Sequence, residues 1–122
     1  MRILIAEDDA IIADGLTQSL RHSGYAVDCA RTGSEADAAL AVGQYDLVIL
    51  DLGLPKLNGY EAARKIRQMP RGSEVLLVAL TGWGQQEDRR KSQEAGFDHH
   101  LVKPVDPAAV IKLVASVAAA QG

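Results

Sequence analysis

At 122 residues and 13.0 kDa, residues 1–122 are expected to form a single domain with one buried core. A net charge of −3 and an isoelectric point near 5.5 argue against direct nucleic-acid binding, because surfaces that hold phosphodiester backbones are usually strongly basic. No apolar stretch approaches the roughly 20 residues that span a bilayer, and the N-terminus enters an apolar strand pattern, not a signal peptide. The lone Cys29 cannot form an internal disulfide and reads as a small core residue; a cytoplasmic location is expected.

Ile3-Leu4-Ile5-Ala6 is the first apolar run and ends at Glu7-Asp8-Asp9. A helix follows, with Ile12, Leu16 and Leu20 at four-residue spacing and Gly24 as its stop. Tyr25 to Ala30 is a more polar strand, expected near a sheet edge. Thr32 and Glu35 form a capping box, each satisfying the other's free amide, and open a short helix closed by Gly43. Leu47-Val48-Ile49-Leu50 runs into Asp51. After the Gly53-Leu54-Pro55-Lys56-Leu57 loop, Asn58 caps a helix with Ala62, Ala63 and Ile66 inward. Val75 to Leu80 ends at Thr81, and Gly82-Trp83-Gly84 leads to a polar helix over Gln85 to Glu94, stopped at Gly96. Leu101-Val102 ends at Lys103-Pro104. Asp106 and Pro107 supply the N-cap and first-turn proline of the last helix.

Five strands thus alternate with five helices, without repeats or linkers, which is the pattern of an α/β fold built on a doubly wound parallel sheet. Short apolar runs bounded by polar residues are strands buried on both faces. In such sheets ligands bind beyond the carboxyl ends of the strands. Glu7, Asp8, Asp51, Thr81 and Lys103 all fall at those ends. Three carboxylates so close would drive one to take up a proton unless a cation intervened. Mg²⁺ answers this, since it is held by one or two carboxylates with phosphate and water. Lys103 is a point charge for a phosphate oxygen, and the Thr81 hydroxyl beside the Gly82 amide adds neutral donors. The set describes a phosphoryl-transfer site with a carboxylate available as nucleophile.

On the motifs Ile3-Leu4-Ile5-Ala6-Glu7-Asp8-Asp9, Leu50-Asp51-Leu52-Gly53-Leu54-Pro55 with Asn58-Gly59, Ala79-Leu80-Thr81-Gly82 and Leu101-Val102-Lys103-Pro104, the chain resembles the receiver domain of two-component response regulators. Residues 1 to about 60 are similar to OmpR/PhoB-type regulators. From Ala79 onward the text is similar to receivers of hybrid histidine kinases, a mixture that a recombined or designed chain would explain, as would an unusual natural sequence. The resemblance implies a three-layer flavodoxin-like (βα)5 fold with strand order 2-1-3-4-5. It implies that Asp51 accepts a phosphoryl group from a histidine kinase or a histidine phosphotransfer protein. Glu7, Asp8, Asp51 and the Gly53 carbonyl would hold Mg²⁺, with Mn²⁺ as a substitute. Lys103, Thr81 and Gly82 would contact the phosphoryl group, Thr81 swinging toward it on activation, and Lys103-Pro104 would be cis.

Asp9 reads as a helix cap, not a ligand. His100 stands where the family has a Tyr or Phe whose rotamer follows Thr81; a planar switch and a half-exposed strand histidine are both open readings. His99 and His22 are expected at the surface. Trp83 falls where the family tunes hydrolysis, so its bulk is expected to restrict water while Gly53 opens the other side. In the last helix Val110, Leu113, Val114 and Val117 form the inward stripe. Ile111, Ala115 and Ala118 widen it into an arc, either a docking face for a downstream partner or a small-residue helix end. Two other readings are weaker. A haloacid-dehalogenase-like phosphatase expects an acid where Gly53 stands. A receiver that no longer accepts phosphate, serving as a scaffold, would not need all five site residues.

Overall fold

The computed structural model describes residues 1–54, 58–70, 72–82 and 93–121. The strands are β1 (Arg2–Ala6), β2 (Ala26–Ala30), β3 (Leu47–Asp51), β4 (Leu76–Thr81) and β5 (His99–Val102). The helices are α1 (Ala10–His22), α2 (Gly33–Val42), α3 (Gly59–Gln68) and α4 (Pro107–Gln121). All neighbouring strands are parallel, in the order β2-β1-β3-β4-β5. The polar strand β2 occupies one edge, as its composition requires. The helix expected over Gln85 to Glu94 lies largely outside the described residues, as does the Pro55-Lys56-Leu57 stretch.

The apolar runs are continuous because both faces of the sheet are covered. Successive side chains alternate: Leu4, Ala6, Val48, Leu50, Leu77 and Ala79 pack with Ala36, Ala62, Ala63 and Ile66 of α2 and α3. Ile3, Ile5, Leu47, Ile49, Val78 and Leu80 pack with Leu16 and Leu20 of α1 and with Val110, Val114 and Val117 of α4. Fully burying each large aliphatic side chain stabilises by about 1.5–3 kcal/mol.

Local chemistry sets the helix ends. The Asp9 carboxylate accepts the Ile11 and Ile12 amides, and Asn58 accepts those of Tyr60 and Glu61. Asp106 accepts the Ala108 amide at the start of α4. Gly24, at φ +99°, ends α1 in a Schellman arrangement: the Tyr25 amide reaches the Leu20 carbonyl and the Gly24 amide that of Arg21. The capping box differs from expectation. Thr32 accepts the Glu35 amide, but the Glu35 carboxylate takes the amide of Arg31 at 2.6 Å, not that of Thr32. Arg31 lies one residue beyond the last paired position of β2, so its amide has no ladder partner to take instead. Cys29 is half-buried, and burial pushes its thiol up. In α4, Leu113 and Ile111 are half-buried against the core, so the exposed face is left to Ala108, Ala109, Lys112, Ala115, Ser116 and Ala119.

Arg67 of α3 ties the amino ends of the last two strands together. Its guanidinium donates to the carbonyls of Gly72, Val75 and Gly96 and pairs with Asp98 at 2.8 Å. Close by, Gly72 approaches α3 so tightly that a Cβ there would lie 1.9 Å from the Ile66 carbonyl oxygen. Gly72→Ala is expected to destabilise by about 3 kcal/mol, read by urea denaturation; wild-type stability would show that the turn can move away at no cost.

In the middle of edge strand β2, Asp28 receives hydrogen bonds from the Tyr45 hydroxyl at 2.7 Å and from Arg2 at 3.0 Å. These two donors, Tyr45 first, hold the Asp28 carboxyl below its ordinary value. A depressed acid contributes stability above its unfolded pKa and loses it as pH falls through the folded one. Tyr45→Phe is therefore expected to raise the Asp28 pKa by NMR titration. The stability difference from wild type should be largest near neutral pH and shrink in acid; identical Asp28 titrations would refute the assignment.

Candidate functional site

β1, β3, β4 and β5 end on one edge because all run in the same direction. Glu7 follows β1, Asp51 and Thr81 close β3 and β4, and Lys103 follows β5. The register continues past the last strand, with the Lys103 amide on the Thr81 carbonyl at 2.8 Å. Lys103-Pro104 is cis. The Lys103 ammonium lies 2.8 and 3.1 Å from the two Glu7 carboxylate oxygens and 3.1 Å from Asp51 Oδ2. Asp51 Oδ1 accepts the Gly53 amide at 2.9 Å. Glu7 has no exposed surface, and Asp51 and Thr81 are 3% and 2% exposed, whereas Asp8 is exposed.

Burial, then a hydrogen bond shared with Asp51, pushes Glu7 up to about 7 against the pull of Lys103. Burial works to raise Asp51 too. Hydrogen bonds from Glu7, the Gly53 amide and Lys103 outweigh it and hold Asp51 below its ordinary value. For Lys103 burial works downward, and hydrogen bonds to the two carboxylates outweigh it and raise the ammonium. Asp51 is thus the group kept ionised, and Glu7 the group that meets the cost of crowding.

Glu7, Asp8 and Asp51 each offer a carboxylate oxygen within 4.8 Å of the others. The donors are all hard oxygen, the chemistry that suits Mg²⁺ and Mn²⁺. With a buried dyad that shares one ammonium between two acids, the set fits a small divalent cation. Gly53 contacts Asp51 through its amide. The Thr81 hydroxyl donates to the Leu101 carbonyl at 3.5 Å, so it faces β5. His100 is half-buried, its Nε2 enclosed without a partner and its ring 6.2 Å from Phe97. His99, expected at the surface, is also half-buried, while His22 is exposed. Gly82 follows Thr81 at this edge. Trp83 lies outside the described residues. One residue here escaped the sequence pattern: Arg31, first after β2, donates from Nη2 to the Asp8 carbonyl at 3.1 Å. The strand-end rule that picks out Asp51 points to it equally.

A five-stranded, doubly wound parallel sheet with buried carboxylates and a lysine at its carboxyl edge defines a domain of the flavodoxin-like class. Within that class the chain belongs to the response regulator receiver domain family, whose model matches residues 3–115. It is 42% identical over 104 residues to the transcriptional regulatory protein PmrA of Pectobacterium parmentieri, covering 85% of this chain and 46% of that protein. The corresponding figures for CusR of Escherichia coli K12 are 40%, 85% and 45%. This chain therefore spans about half the length of those regulators. Among solved structures, the chemotaxis response regulator CheY4 of Vibrio cholerae superposes with a TM-score of 0.86 at 26% identity, covering 95% of this chain and 97% of that one. The receiver domain of the sensor histidine kinase PA1611 of Pseudomonas aeruginosa PAO1, whose active site cleft coordinates a magnesium ion, gives 0.79 at 33% identity and 92% of both chains. Relatives of both expected kinds are thus found, each matching most of the chain.

Lys103→Met should leave two enclosed carboxyls without their ammonium. A loss of about 2 kcal/mol is expected, lower than for a fully buried pair because Lys103 keeps 21% of its side chain in solvent. Millimolar Mg²⁺ should stabilise this variant more than wild type in thermal melts. Equal stability with and without the lysine would show that it does not neutralise the dyad.

Proposed function

We propose that this protein is the phosphoacceptor of a two-component phosphorelay and that Asp51 is the acceptor. The observation that carries the reading is Asp51 itself, an almost fully enclosed carboxylate held ionised by Lys103 and the Gly53 amide. In the reaction a carboxylate oxygen of Asp51 bonds to the phosphorus of a phosphohistidine. The bond from phosphorus to the imidazole nitrogen breaks, and the imidazole leaves with the electron pair. Glu7, Asp8, Asp51 and the Gly53 carbonyl would hold Mg²⁺, which when bound supplies neutralising charge to the acids and the incoming phosphoryl oxygens.

The remaining steps belong to the chain's own residues. Lys103, already on Asp51, needs only a small movement to pair with a phosphoryl oxygen. The Thr81 hydroxyl and Gly82 amide supply neutral donors from the end of β4. Thr81 now donates over a long 3.5 Å contact, a weak bond to exchange for a charged acceptor. His100 and Trp83 complete the proposal as switch and tuning positions, His100 by its enclosed ring near Thr81's strand.

On this reading residues 1–122 act as one receiver unit that catalyses only its own phosphorylation and dephosphorylation. Its donor is a histidine kinase or phosphotransfer protein in the cytoplasm. The net charge of −3 favours a protein over DNA as the downstream partner, with the exposed side of α4 as its contact. No helix among the described residues is long and apolar enough to cross a membrane.

Incubation with Mg²⁺ and acetyl phosphate is expected to add a single phosphoryl group by intact mass, and Asp51→Asn should abolish it. Steady hydrolysis of free phosphate esters would instead identify a phosphatase, and no uptake would identify a scaffold.

A further inference from the structure

The three acids of the β1–α1 turn are held in different ways. Glu7 is fixed at both ends: its amide donates to the Ala30 carbonyl at 3.0 Å and its carboxylate meets Lys103. Asp9 is fixed by capping α1. Asp8 between them is exposed, and its residue is held through its backbone, where the carbonyl accepts Arg31 Nη2 at 3.1 Å. Arg31 is in turn anchored, because its own amide is taken by Glu35 Oε2 at 2.6 Å. Its Nε is enclosed and meets no acceptor. An enclosed donor without a partner is a cost that folds usually avoid, and here it accompanies an arginine laid across the turn that presents Asp8.

We propose that Arg31 is a positioning residue for the cation site: by pinning the Asp8 carbonyl it fixes the direction from which the Asp8 carboxylate meets a divalent ion. The proposal rests on the acidic-site reading above and adds a residue to it. Two physical effects of Arg31 oppose each other. Its positive charge disfavours a nearby cation, so an arginine acting through charge alone would weaken binding and its removal would tighten it. Pinning predicts the opposite sign, since partners that orient a ligand typically contribute a factor of about ten or more to metal affinity. The sign of the change therefore separates the two.

The test is calorimetric titration of the full chain with MgCl2 and no phosphodonor, for wild type, Arg31→Met and Arg31→Lys. Metal-free thermal melts accompany it. Arg31→Met, which keeps length but no donor, is expected to bind Mg²⁺ about tenfold more weakly with a metal-free melt close to wild type. Arg31→Lys, which keeps charge and one donor, should fall between. Binding by Arg31→Met as tight as wild type, or tighter, overturns the proposal. If Arg31→Met does not fold, Arg31→Lys decides alone, and wild-type affinity there overturns it. Absence of Mg²⁺ binding in the wild type would defeat the acidic-site reading and this proposal with it, whereas wild-type binding that the variants retain in full overturns only the role of Arg31.

Discussion

One ammonium group organises this molecule's edge. Lys103 lies within hydrogen-bonding distance of both Glu7 and Asp51, two carboxylates that otherwise have almost no contact with water. Enclosed like charges repel strongly, and the usual escape is for one to take up a proton. Here the burden is divided unequally. Glu7 rises to about 7 while Asp51 is held low, so the crowding that would protonate Asp51 is displaced onto its neighbour. Removing one member of such a set leaves the others uncompensated.

That arrangement depends on the sheet. Lys103 is separated from Glu7 by 96 positions, and only parallel strands in the observed order bring the two together. The strands can be central because their side chains alternate between two apolar layers, one against α2 and α3 and the other against α1 and α4. The last polar residue of each run is then pushed to the rim by the length of the run before it. The site is a by-product of where burial stops, refined by Arg31 and the Gly53 amide.

What was legible in the sequence follows from this. Asp51, Glu7, Thr81 and Lys103 could be read because they interrupt apolar runs, and Asp9 and Asn58 because capping is a short-range interaction between a side chain and amides two or three residues on. The strand order came from the resemblance, since alternation of strands and helices is shared by several orders. Glu35 could not be read correctly: whether it takes the amide of Thr32 or Arg31 depends on where β2 stops pairing. Arg67 and Gly72 were invisible because their partners are tertiary, a set of carbonyls and a helix end that no local pattern announces. Of the arc on the last helix, Ile111 packs against the protein's own core while Ala115 stays exposed, a division that helical periodicity alone does not make. His100 is similar: its position was visible, but an enclosed and unpartnered Nε2 is a property of the packed state.

The pairing of Arg2 and Tyr45 on Asp28 has a consequence for how the molecule can change. It joins Arg2 at the amino end of β1 and Tyr45 just before β3 to the middle of edge strand β2, away from the carboxyl ends that hold Lys103 and its acids. Asp28 pairs with Leu4, three positions before Glu7, about 10 Å along the strand direction and farther than the screening length of about 8 Å in physiological salt. Substitutions so separated usually combine additively. Variation in the Asp28 cluster can therefore alter resistance to acid or heat while leaving the ionic balance of the carboxyl edge intact. Lineages or protein engineers can adjust durability and the charge balance of the acidic edge as two nearly independent traits.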